Sequence, residues 1–152
     1  MVHIKHRVGI KASPQKVYEA LSTIGGISKW WTKNTSGESE IGKTVTVRFH
    51  TPDGKEVGSM NFDVQALEPE SKVQWKFTSG PPEWIGTTVT FDLHQEENYT
   101  IVMFSHLNWA EEVEFKSHCS MKWAIFMLSL KQLIETGEGK PSPNDIKIDN
   151  WN

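Results

Sequence analysis

Apolar and polar residues alternate along much of the chain, and the period changes to a helical one near each end. Val2, Ile4, Val8 and Ile10 alternate with His3, Lys5, Arg7 and Gly9, which predicts a half-buried strand. Ser13-Pro14 then reads as a helix cap followed by proline at the first helical position. Val17, Tyr18 and Leu21 space a short helix to about Ser22; Gly25-Gly26 interrupts it, and a second helical piece is expected from Ile27 to Trp31. The polar, glycine-containing stretch from Thr35 to Gly42 reads as loop.

Five strands are predicted next. Val45, Val47 and Phe49 share one face of the first; Met60, Phe62, Val64 and Ala66 share one face of the second. Val73, Trp75 and Phe77 mark the third; Val89, Phe91 and Leu93 mark the fourth. Tyr99 to Leu107 is apolar on both faces, so its inward side stays ambiguous: Val102, Phe104 and His106, or Ile101, Met103 and Ser105. Turn chemistry at Thr51-Pro52-Asp53-Gly54, Glu68-Pro69-Glu70-Ser71 and Glu96-Glu97-Asn98 separates these runs. Ser79 to Trp84 carries two prolines and cannot be strand interior. Links this short leave no room for parallel crossovers, so the strands form an antiparallel meander.

The stretch from Glu111 to Gly137 has a helical period. Cys119, Trp123, Phe126, Met127, Leu130, Leu133 and Ile134 share one face, Glu111, Glu112 and Glu114 suit a helix N-terminus, and Gly137 is the stop. Met121, Ile125 and Leu128 form a second apolar face opposite Trp123. That face needs a cover: either the tail from 138 to 152 folds back with Ile146, Ile148 and Trp151, or a second copy of the chain packs there as a homodimer. The expected architecture is α+β, one domain over residues 1–152, with a curved antiparallel six-stranded sheet (β-α-α-β5-α) around a long C-terminal helix.

Composition alters this picture in one respect. Seven tryptophans and seven phenylalanines are an unusual aromatic load, consistent with either an aromatic core or an aromatic-lined cavity. The net charge of −3, without a lysine or arginine cluster, argues against nucleic acid. The lone Cys119 excludes an internal disulfide and fits a cytoplasmic setting. No apolar run approaches membrane-spanning length, and the N-terminus does not read as a signal peptide.

Candidate chemistry is sparse. The expected cavity lining is Trp31, Phe49, Phe62, Trp75, Phe77, Trp84, Phe91, Phe104, His106, Trp123 and Met127. These rings could equally fill the space as plain core, and Trp30-Trp31 could be a plug between helix and sheet. His106 is the one candidate acid or base if it points inward, where it could equally be a histidine satisfied by a neighbouring backbone group; pointing outward, it faces solvent. No second titratable group is placed beside it. His3, His6, His50 and His118 lack metal-ligand spacing, and no phosphate loop or serine elbow is present. No metal or cofactor is expected.

Several local stretches recur together in one family. They are Ser13-Pro14 through Val17-Tyr18 to Ala20-Leu21, then Lys29-Trp30-Trp31, then Leu67-Glu68-Pro69 running to Val73 and Trp75. Thr88 to Leu93, His106, and Ser129-Leu130-Lys131 to Glu135 and Gly137 complete the set. In this order they resemble the SRPBCC superfamily, and within it the activator of heat-shock-protein-90 ATPase homologue-like group. The resemblance covers nearly the whole chain to about Pro143 and implies the helix-grip fold, a sheet gripping a long helix with a cavity between. It leaves function open among three readings. One is a binder of a small apolar or aromatic ligand. Another is a polyketide cyclase- or dehydratase-like enzyme using His106. The third is an interaction domain that modulates a chaperone ATPase, although chaperone activators of this group carry an additional N-terminal domain that the sequence does not show.

Overall fold

The computed structural model describes all 152 residues. The chain runs β1 (Val2–Ile10), α1 (Pro14–Ser22), α2 (Ile24–Trp30), β2 (Asn34–Gly37), β3 (Thr44–His50), β4 (Glu56–Glu68), β5 (Lys72–Ser79), β6 (Thr88–Glu96), β7 (Tyr99–Trp109) and α3 (Glu114–Thr136). The strands form one antiparallel sheet in the order β1-β7-β6-β5-β4-β3-β2. β1 therefore pairs with the last strand, and the meander fills the rest. β4 is 13 residues long, and its register with β5 shifts between Asn61 and Phe62 and between Val64 and Ala66. Such bulges bend a strand and raise its twist, which curls the sheet around α3.

The sheet has seven strands, one more than expected. The addition is β2, Asn-Thr-Ser-Gly, which pairs with β3 from Asn34↔Arg48 to Gly37↔Val45. An edge strand exposed on both faces needs no apolar residue, so alternation could not reveal it.

The helices also start differently. Gly25 and Gly26 do not separate two helical pieces; they lie in the first turn of α2, which Thr23 caps by accepting from the Gly26 N–H at 3.0 Å. A Cβ on Gly26 would sit 2.6 Å from the Ala20 carbonyl, so glycine is needed where α2 crosses α1. The Trp30 indole donates to that same carbonyl at 2.9 Å and locks the pair. α3 starts at Glu114 rather than Glu111, so only Glu114 of the three acidic residues lies in its first turn. It ends on Gly137, whose N–H reaches the Leu133 carbonyl at 2.8 Å.

The core lies between the concave face of the sheet and α3, with α1 and α2 closing one end. Trp31 is central to it: its ring lies 5.7 Å from Trp75 and 5.0 Å from Trp123, joining sheet to helix. The tail returns along the same end. Ser142 pairs its main chain with Trp31 and Lys33, and Lys140 N–H donates to Ser129 Oγ at 2.8 Å. Further on, Lys122 of α3 binds the Asp145 carboxylate and the Ile146 carbonyl, and His118 Nδ1 lies 2.7 Å from Asp149 Oδ2. The tail thus packs on the domain along the His118–Lys122 side of α3. Met121 and Leu128 keep 55% and 56% of their surface exposed, so the tail leaves much of the second apolar face uncovered.

Candidate functional site

The inward parity of β7 is Val102, Phe104 and His106, all buried. This follows from its register: Val89 of β6 sits opposite His106, and Phe91 opposite Phe104. His106 is fully buried, and its ring is held on both sides. Nδ1 lies 3.1 Å from Trp123 Nε1, and Nε2 lies 2.8 Å from Thr87 Oγ1. Thr87 Oγ1 in turn lies 2.5 Å from the Trp84 carbonyl.

Donor and acceptor chemistry assigns every proton in this chain. An indole N–H can only donate, so Nδ1 accepts and carries no hydrogen. A carbonyl can only accept, so the Thr87 hydroxyl spends its hydrogen on Trp84 and accepts from His106 Nε2–H. His106 is therefore the neutral Nε2–H tautomer with both nitrogens satisfied. Protonating it would set Nδ1–H against the Trp123 N–H in a site without water access. Burial accordingly pushes its pKa down to about 3. The Cys119 thiol goes the other way: burial pushes it up to about 12, against the opposing effect of the Trp84 indole beside it. Neither group is a poised base or nucleophile near neutral pH.

The open space lies toward the far edge of the sheet from β7. A cleft of about 630 Å³ runs between β4, the β5–β6 loop, the first half of α3 and the tail. Of the expected lining, Trp31, Phe49, Trp84 and Trp123 stand on its wall. Phe62, Trp75, Phe77, Phe91, Phe104, His106 and Met127 do not; they pack behind it in the core. The Trp75 ring, for example, is stacked 4.3 Å from Phe62 and set edge-on 4.9 Å from Phe91, which leaves no room between them.

Sequence reading missed the rest of the wall: Met60, Phe115, His118, Lys122, Phe126 and Trp151 among others. Gly80, at φ 135°, shapes one side, since a Cβ there would come 2.8 Å from Met60 Cγ. Polar side chains interrupt the aromatic wall at Ser59, Ser79, His118, Lys122 and Asn152. Lys122, only 8% exposed, is paired with Asp145. His118 holds Asp149, whose carboxyl pKa is lowered mainly by that hydrogen bond. The Trp84 Nε1–H meets no oxygen or nitrogen acceptor; the Cys119 thiol beside it is at best a weak one. No group of three or more potential metal-ligating side chains comes together anywhere in the chain.

The profile of the family described as Activator of Hsp90 ATPase homolog 1-like protein matches residues 11–135. The chain belongs to that family. Among solved structures, it is similar to the Aha1 dimer from Colwellia psychrerythraea, with 44% identity and a TM-score of 0.79. That match covers 91% of this chain and 100% of the other. Protein BH1534 from Bacillus halodurans is 25% identical with a TM-score of 0.66, over 88% of this chain and 97% of that one. Protein MLL2253 from Mesorhizobium loti shares the fold at 20% identity and a TM-score of 0.74, over 88% and 97% of the two chains. No protein with a curated description matches. The family and the helix-grip fold expected from the local motifs are therefore both shown.

Proposed function

We propose that this family member binds a small apolar or aromatic ligand in the cleft between β4, the β5–β6 loop, α3 and the tail. The observation that carries the reading is the cleft itself: about 630 Å³, walled by Trp31, Phe49, Trp84, Phe115, Trp123 and Phe126, with polar side chains interspersed at Ser59, Ser79, His118, Lys122 and Asn152. Drug-sized ligands occupy concave sites of this size and character. The closed hydrogen-bond chain around His106 weighs against the alternative of an enzyme that uses His106, because its imidazole has no free nitrogen. A cytoplasmic setting suits the same reading, since the only cysteine is a buried thiol. No helix is long and apolar enough to cross a membrane.

Four of the seven tryptophans stand on the cleft wall, so intrinsic fluorescence reports occupancy directly. Titration with flat aromatic compounds should give a saturable change in emission, weakened by Phe115→Ala or Trp151→Ala. The absence of any saturable change across aromatic, polyketide-like and fatty ligands would sink the proposal.

The family description favours a second reading, modulation of a chaperone ATPase. It calls for stimulation of that ATPase by the purified protein, unaffected by Phe115→Ala in the cleft. A homodimer is compatible with either reading. Its support is the exposed Met121 and Leu128 face together with the dimeric state of the 44% identical relative.

A further inference from the structure

We infer that the cleft takes a short extended peptide, which pairs with the main chain of Ser59 as an added strand and turns an apolar side chain on each side of the paired residue toward the aromatic wall. This rests on the ligand-binding reading above and names the class of ligand.

The sheet has an opening inside the cleft. β4 pairs with β3 as far back as Glu56↔His50, but its ladder with β5 stops at Asn61↔Ser79. Glu56 to Met60 are therefore paired on one side only. The stop has a local cause: the chain bends at Gly80, and the position opposite Ser59 falls to Pro81, which has no N–H. Neither Gly80 nor Pro81 hydrogen-bonds to the main chain of Ser59. The direction of Ser59 follows from Asn61, two residues on. Asn61 sends its N–H toward β5, to Ser79 Oγ at 3.2 Å, and main-chain groups on a strand point the same way at every second residue. The N–H and C=O of Ser59 thus point out of the open edge. That edge faces the cleft: Val57, Gly58, Ser59 and Met60 all stand on its wall, whereas a strand turned face-on supplies every second residue. The rim strands β1 and β2 have open edges too, but neither reaches the cleft.

The chemistry of the edge selects the ligand. An N–H and a C=O on one residue are met together by one residue of an antiparallel strand. A lone carbonyl or hydroxyl on a ligand meets only one of them. An unpaired strand edge is a template for an added strand, and pockets for alternate side chains then give specificity. Parity sets the pattern. The residue opposite Ser59 shares its outward, exposed face. The residues before and after it point inward with Gly58 and Met60, which lie opposite Phe49 and Val47 on the core face. Gly58 leaves room there, since no atom beyond its chain neighbours lies within 4 Å of where a Cβ would stand. The expected ligand sequence is an apolar residue, any residue, then a second apolar residue.

The test uses acetyl-Phe-Ala-Phe-amide and two forms of it with one N-methyl group, on the alanine or on the last phenylalanine. Tryptophan fluorescence and the Ser59 amide resonance are the readouts. The parent peptide should bind saturably and move the Ser59 resonance downfield. Methylating the alanine removes the N–H that meets the Ser59 carbonyl and should weaken binding about tenfold or more. The N–H of the last phenylalanine points away from β4, so methylating it should leave affinity within about threefold. Ser59→Pro deletes the donor without removing a β3–β4 ladder bond and should weaken the parent peptide about tenfold. Should that variant fail to fold, the two methylated peptides on the unchanged protein decide. Equal losses from the two methyl groups, or an unmoved Ser59 resonance, would overturn the inference while leaving a ligand site in place. Failure of every peptide while flat aromatic compounds bind would do the same. Failure of peptides and aromatic compounds together would overturn both this inference and the function it rests on.

Discussion

Trp123 of α3 donates its indole N–H to Nδ1 of His106 on β7 at 3.1 Å, so the long helix is fastened to the sheet by a hydrogen bond as well as by ring packing. The bond only works with His106 neutral. That sets a pH dependence. The folded-state pKa is depressed, to about 3, relative to an ordinary value of 6.5. Above pH 6.5 both folded and unfolded chains hold the imidazole neutral, and its contribution is fully present. Between those values the unfolded chain binds the extra proton, so stability falls as pH drops. The loss should reach on the order of 4 kcal/mol near pH 3. Urea midpoints measured from pH 7.5 down to pH 4 should fall more steeply for the wild type than for His106→Gln, which has no such titration. Parallel curves would show that His106 titrates normally.

The middle of the same chain is Thr87. Thr87→Val keeps the shape but strands one buried group, the His106 Nε2–H; the Trp84 carbonyl loses the hydroxyl but keeps the Thr87 main-chain N–H at 2.9 Å. Removing the hydroxyl should cost about 1–3 kcal/mol by urea denaturation. Thr87→Ser keeps the hydroxyl and should recover most of this loss. Equal losses in the two variants would assign the effect to the missing methyl group, not the hydrogen bonds.

The tail depends on a different device. Lys122 and Asp145 form an ion pair with only 10% and 2% of their side chains exposed. Breaking such a pair from one side leaves an uncompensated buried charge, so Asp145→Ala or Lys122→Met alone should cost about 3–5 kcal/mol. Removing both should cost clearly less than the sum of the two, because neither charge is then stranded. Trp151 lies beyond this anchor, so Asp145→Ala should also red-shift its emission in a protein whose other tryptophans are replaced by phenylalanine where stability permits. Additive losses and unchanged emission would mean the pair does not hold the tail.

Legibility in the sequence followed periodicity. β3, β5 and β6 alternate cleanly because one face is core and the other solvent, and Val73, Trp75 and Phe77 occupy the inner face as their parity requires. β7 resisted because Ile101 on its outer face is also buried, and part of the reason is visible at Gly9, where a Cβ would meet Tyr99 and Ile101 at 3.1 and 3.3 Å. The cleft wall was readable where it coincides with core periodicity, as at Phe49 and Trp123, or where an aromatic interrupts a polar loop, as at Trp84. Lys122 stands between two apolar residues, Met121 and Trp123, and nothing local marks it for burial. Its burial depends on Asp145, which lies far along an aperiodic tail, and no local pattern encodes that pairing.

The second apolar face of α3 carries the last prediction. Met121 and Leu128 remain more than half exposed beside half-buried Ile125, after the tail has taken the His118–Lys122 side. Burying this face against a second copy would remove apolar surface from water on both partners. Light scattering should therefore give the mass of a dimer for the wild type and of a monomer for Ile125→Glu, with unchanged far-ultraviolet circular dichroism. The cleft lies on the side of α3 that carries Cys119, Trp123 and Phe126, so the monomeric variant should keep its ligand affinity within about twofold. An unchanged dimer would move the interface elsewhere, and lost affinity would mean that dimerisation helps to shape the cleft.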